Sequence, residues 1–87
     1  MILTAEISLY PLQEGYESAI VSFIQRIRSY EGLKVKVTST STRIVGPYER
    51  VMDAIKRELE TSFRETGSRV LVAKFINSDL SEDPQDL

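Results

Sequence analysis

T-S-T-S-T-R-I-V-G-P-Y-E-R-V, running from Thr38 to Val51, passes through three structural regimes in fourteen residues. Five hydroxyl residues, Thr38 to Thr42, lead into the short β-branched run Thr42 to Val45. Gly46-Pro47 breaks that run, and apolar residues then recur at helical spacing. The order is turn, strand, break, helix. Hydroxyls grouped beside a strand have two readings. They are turn residues, because Ser and Thr bond local backbone in competition with a ladder. They are also donors and acceptors for a small polar ligand. Both readings stay open at this point.

Upstream, residues 2–10 alternate. Leu3, Ala5, Ile7 and Leu9 point one way and Thr4, Glu6, Ser8 and Tyr10 the other, so the period predicts a strand with one face in the core. Pro11 is expected to stop it. Residues 14–30 change period: Tyr16, Ala19, Ile20, Phe23, Ile24, Ile27 and Tyr30 form one helical stripe, and Gly32 follows the last turn. Leu33 to Thr38 reads as a second strand with Val35 and Val37 inward and Lys34 and Lys36 outward. Ser39 to Ser41 is then a hairpin turn.

Downstream, Pro47 is expected at the first helical position, where its missing N–H costs nothing. The second helix is predicted over roughly residues 47–66, with Tyr48, Val51, Met52, Ile55, Leu59 and Phe63 buried. Gly67 ends it. Residues 69–76, R-V-L-V-A-K-F-I, make a last strand that is apolar on both faces, so both faces are expected to be covered. From Asn77 onward the chain is polar and acidic and reads as a flexible tail, leaving residues 1–76 as one domain.

The order β-α-β-β-α-β contains two helical crossovers, which are right-handed by rule. It predicts an α+β, ferredoxin-like fold: a four-stranded antiparallel sheet with two helices on one face and the first and third strands in the centre. Ser8 and Tyr10 are then close to the strand that begins at Thr42. The second sheet face is left open, and self-association through it, as a dimer or tetramer, is the expected way to bury it.

Composition removes several functions. The 87 residues include no cysteine and no histidine, so disulfides, thiolate metal sites and the commonest general base are absent. A carboxylate site for a hard metal remains, but the acidic residues do not cluster within the pattern. Of 13 acidic residues, Asp79, Glu82, Asp83 and Asp86 fall in the last eleven positions; the remaining nine face 11 basic ones. Near balance argues against binding a phosphate backbone, and only Tyr10 offers an aromatic on an exposed strand face, so nucleic acid is not an expected partner. No apolar run approaches the ~20 residues of a membrane span, and the opening M-I-L-T-A-E lacks a basic leader, so a cytoplasmic location is expected. No paired carboxylates share an inward face, and the expectation is a protein that is not an enzyme.

Three segments resemble the YkoF-like, MTH-type thiamine-binding domain family. They are I-S-L-Y-P-L from Ile7, S-T-x-x-x-G-x-Y-E-x-V-M from Ser41 to Met52, and Glu65, Gly67, Arg69 and Val70 at the entry to the last strand. The chain departs from the family pattern at Val45, at Leu59 and over Asn77 to Leu80. The resemblance covers residues 3–76. It implies non-catalytic binding of thiamine or a related hydroxymethylpyrimidine in an oligomer built on back-to-back sheets, with thiamine a ligand and no cofactor. By position it implies Ser8, Tyr10, Ser41, Thr42 and Gly46 as ligand-binding residues. Tyr48, Glu6 and Glu60 are further candidates to contact the ring or its cation, although Glu6 also suits a cross-sheet pair with Lys74. The competing reading is a ligand-free oligomeric interaction or regulatory module.

Overall fold

β1 (Ile2–Pro11) is the strand on which the sheet is assembled. The computed structural model describes residues 1–65 and 67–82, and the backbone alone of Tyr16. The chain continues through α1 (Tyr16–Arg28), β2 (Lys34–Val37), β3 (Thr42–Pro47), α2 (Tyr48–Phe63) and β4 (Arg69–Ile76). The four strands form one sheet in the order β2-β3-β1-β4, and every neighbouring pair is antiparallel. This is the ferredoxin-like α+β arrangement, with β1 and β3 central.

The alternation in β1 explains which face the helices take. Leu3, Ala5, Ile7 and Leu9 are buried and pack with Phe23 and Ile27 of α1 and Val51, Ala54 and Ile55 of α2. Each fully buried aliphatic side chain such as Ile27 contributes about 1.5–3 kcal/mol by leaving water. The two helices are tied to each other as well as to the sheet. Glu58 of α2 accepts from the Arg26 guanidinium at 2.7 Å and from the Tyr30 hydroxyl at 2.6 Å. Arg69, at the entry to β4, donates to the Ser62 carbonyl at 2.7 Å and its hydroxyl at 2.9 Å. A cation thereby meets the negative end of α2.

Several boundaries differ from the sequence expectation. Pro11 is the last residue of β1 rather than its stop. α1 ends at Arg28, short of Tyr30 in its stripe, α2 spans Tyr48–Phe63 rather than residues 47–66, and Pro47 closes β3 with φ −57° and ψ 138° instead of opening α2. Tyr48 and Phe63, at the two ends of the α2 stripe, are exposed, whereas Ala54 and Ser62 are buried. Tyr16's side chain lies outside the described residues.

Within one chain the doubly apolar β4 keeps exposed apolar side chains on both faces. Phe75 remains about half exposed on the helix side, and Val70 and Val72 are exposed on the other side beside Tyr10. Part of the open face is covered by the chain itself. Residues 77–82 turn back across it, and Thr4, wholly buried, sits beneath them: its hydroxyl donates to the Ser78 carbonyl at 2.7 Å and accepts from the Leu80 N–H at 2.9 Å. Arg43 donates to the Leu80 carbonyl at 3.2 Å. Asp79 is held below the usual carboxylate range by hydrogen bonds from Ser81, with Lys34 adding a favourable charge. The part of the acidic tail beyond residue 82 lies outside the described residues.

Gly46 is required by close packing. A Cβ there would fall 2.7 Å from Leu33 Cδ2 and 2.9 Å from the Gly32 carbonyl oxygen, so backbone would have to move. Gly46→Ala is expected to lower stability by about 1–3 kcal/mol, read as a reduced urea midpoint with an unchanged slope.

The Tyr30 phenol is pushed up to about 12, first by burial and then by its hydrogen bond to Glu58 and the charge of that carboxylate. A proton held more tightly in the folded state stabilises it below the unfolded pKa near 10 and ceases to do so as pH rises through the folded value. Spectrophotometric titration should therefore show one late tyrosine. Alkaline destabilisation between about pH 10 and 12 should be smaller in Tyr30→Phe, which has no phenol to ionise.

Candidate functional site

A groove opens where β1 outruns β3. β1 pairs with β4 from Thr4 to Pro11, but its pairing with β3 ends at Ile7 opposite Thr42. The hydroxyl run stops β3 there. Thr38 Oγ1 accepts from the Thr40 and Ser41 N–H groups at 3.3 and 3.1 Å, and the Thr38 N–H donates to the Ser41 carbonyl at 2.8 Å. Those bonds fold residues 38–41 into a turn instead of extending the ladder. Ser8 then donates its hydroxyl to the Thr40 carbonyl at 2.8 Å, tying the turn to β1.

The space left between the end of β1, the turn and the first half of α1 is about 590 Å³. That is in the usual range for a small-molecule site. Ile20, Phe23 and Ile24 of α1 supply one apolar wall, with Leu9 and Leu12 from β1 and the segment after it. Thr38, Ser39, Thr40, Ser41 and Thr42 form a continuous hydroxyl rim opposite. Such a site excludes water from a flat ligand on one side and offers adaptable donors and acceptors on the other.

Four of the five candidate residues meet at this groove: Ser8, Tyr10, Ser41 and Thr42 all line it. Thr42 is almost buried, Ser8 and Ser41 are half-buried, and Tyr10 stands about half exposed at the mouth. Gly46 is not among the lining residues. It lies opposite Leu3, four residues further along β3, where it admits Leu33 and the Gly32 carbonyl. Tyr48 is at that same far end, its N–H bonded to the Met1 carbonyl at 3.0 Å. Glu6 is engaged across the sheet, 3.4 Å from Arg43 and 3.9 Å from Lys74, and Glu60 faces Arg64 at 3.9 Å on α2. None of the three lines the groove.

Ile20, Ile24 and Thr38 are among the lining residues that the sequence did not single out as ligand contacts. The first two belong to a helical stripe that core packing already accounts for, so periodicity alone gives them no second role. Thr38 is the residue whose hydroxyl shapes the turn; within five consecutive hydroxyls nothing in the sequence ranks it above its neighbours. Among the described residues, no group of three or more His, Cys, Asp or Glu side chains is placed to hold a metal ion. No helix among them is long and apolar enough to cross a membrane.

A Thermotoga maritima structure named for a proposed role in thiamine biosynthesis or salvage aligns at 25% identity over 86% of this chain and 82% of its own, with a TM-score of 0.76. A Streptococcus pneumoniae protein aligns at 21% identity over 92% and 90%, with a TM-score of 0.83. A Methanocaldococcus jannascii protein aligns at 22% identity over 97% and 88%, with a TM-score of 0.77. The latter two establish likeness of fold. No curated protein sequence matches the chain. The Thiamine-binding protein family model, however, matches residues 5–83 and so takes in both walls of the groove, its hydroxyl rim and the segment laid across the open face: the chain belongs to that family.

Proposed function

We propose that this protein binds thiamine, or a related hydroxymethylpyrimidine, without catalysing its conversion, and that the groove beside β1 is where it does so. The observation that carries this reading is the composition of the groove: an aliphatic and aromatic wall faces a run of five hydroxyls, and Ser8, Tyr10, Ser41 and Thr42 on its lining fall in two of the segments that resemble the family signature. An aminopyrimidine asks for those two things, a flat apolar surface and a few placed hydrogen-bonding groups. Ser41 and Thr42 contact the ring's polar edge, Ser8 holds the turn while offering its free lone pairs, and Tyr10 at the mouth presents a face to the cationic thiazolium. Gly46, the fifth candidate, acts away from the groove by letting Leu33 and the Gly32 carbonyl pack closely on β3. The family match supports the ligand class.

The same reading includes self-association in the cytoplasm. Tyr10, Val70 and Val72 form an exposed apolar strip on the part of the sheet face that residues 77–82 leave open. A second copy of the chain is the occupant that would bury it symmetrically. This strip also favours the alternative in which the domain is an oligomeric interaction module with no small ligand.

Calorimetric titration with thiamine separates the two. Saturable binding at one site per chain is expected, weakened roughly tenfold by Ser41→Ala through loss of one hydrogen bond. Absence of heat with thiamine, its phosphates and hydroxymethylpyrimidine overturns the binding reading. Independently, Val72→Lys is expected to shift the sedimentation coefficient of an oligomer to that of the monomer, because a charge would have to be buried without a partner. An unchanged coefficient places the contact elsewhere.

A further inference from the structure

The direction of the backbone in β1 points to a recognition element that no side chain supplies. In an antiparallel ladder, directly opposed residues of a bonded pair exchange both N–H···O=C bonds, and successive bonded residues alternate between the two neighbours. The Leu12 N–H donates to the Ser68 carbonyl on the β4 side, in the register that pairs Tyr10 with Val70. The Met1 carbonyl accepts from Tyr48 on the β3 side, in the register that pairs Ile7 with Thr42. Even-numbered residues of β1 therefore turn their peptide groups to β4 and odd-numbered ones to β3.

β3 reaches only as far as Ile7. Two odd residues of β1 lie beyond it, Leu9 and Pro11. Pro11 has no N–H, which is why a proline can occupy the last position of this strand. Leu9 alone presents both a donor and an acceptor to the vacated lane. Continuing the register would bring Thr40 opposite, but the turn takes the Thr40 carbonyl to the Ser8 hydroxyl instead. Among the described residues no strand lies beside Leu9 on that side, and Leu9 lines the groove.

We infer that the Leu9 peptide N–H and carbonyl form a fixed donor–acceptor clamp for a planar ring carrying an amino group next to a ring nitrogen. This deepens the proposed binding function and rests on it. The ring nitrogen accepts from the Leu9 N–H while the amine donates to the Leu9 carbonyl, so the ligand continues the ladder for one step. An extended peptide is a poorer fit, because Ile7 is already paired with Thr42 and Pro11 has no donor. The hydroxyls across the groove rotate and serve as donor or acceptor alike. They cannot tell an amino ring from its oxo counterpart; a peptide edge can. Replacing the amine with oxygen moves a proton to the ring nitrogen and opposes donor to donor and acceptor to acceptor.

The test compares thiamine with its 4-oxo pyrimidine analogue on the full chain. Discrimination of about a hundredfold or more in favour of the amino form is expected, the scale on which sites with fixed buried polar groups reject mismatched ligands. In parallel, the Leu9 amide of ¹⁵N-labelled protein should shift and its hydrogen exchange should slow on addition of thiamine. Equal affinity for the two rings overturns the clamp while leaving thiamine binding intact, as does a Leu9 amide that ignores saturating thiamine while Ser41 and Thr42 respond. Binding of neither ring removes the proposed function and the clamp together.

Discussion

The groove depends on one short set of hydrogen bonds, those that the Thr38 hydroxyl accepts from the peptide groups of its own turn. A hydroxyl that satisfies nearby N–H groups gives the chain an alternative to the ladder. The alternative is taken four residues before β1 ends, and β1 continues along β4 without its other neighbour. The volume beneath α1 is thus a shortfall in strand length, held open by the Ser8 bond to Thr40. Turn and ligand readings of the hydroxyl run are therefore not rivals in physical terms. Bonds internal to the turn use some of its hydrogen-bonding capacity and place the rest along a cavity.

Much of the architecture is legible because period and punctuation agree. The alternation from Leu3 to Leu9 identifies the core face of β1, and the limits of β4 coincide with the apolar run from Arg69 to Ile76. Pro47 is the instructive difference. Its fixed φ suits both the first turn of a helix and the end of a strand, and only ψ, which the sequence does not reveal, separates them. The exposed Tyr48 and Phe63 show a second limit: a stripe at helical spacing marks a face, but its length does not say how far the opposing sheet extends.

The grouping of residues at the groove is legible to the same degree and for a related reason. Strand order brings Ser8 and Tyr10 to Thr42 once β1 and β3 are neighbours, so those three could be grouped from topology. Gly46 shares a sequence segment with Thr42 but not a location, because β3 carries it to the opposite end of the sheet. The hidden contribution is the burial of Thr4. Alternation puts its side chain on the open face, and nothing local indicates that Ser78 and Leu80 will enclose it.

The Thr4 contacts bear on how the molecule is completed during synthesis. Thr4 lies in the first strand of this sheet in chain order, and its partners are 74 and 76 positions later. Contacts so distant in sequence bring the cost of closing a long loop, which the prior assembly of the sheet greatly shortens in effect. Helices and strands can form and pair while the chain is still tethered, but the polar side of β1 stays unsealed until Leu80 has cleared the exit tunnel. A nascent chain would therefore expose Thr4 and the neighbouring Val45, both buried in the finished fold, for the whole of that interval, leaving this surface open to premature contacts.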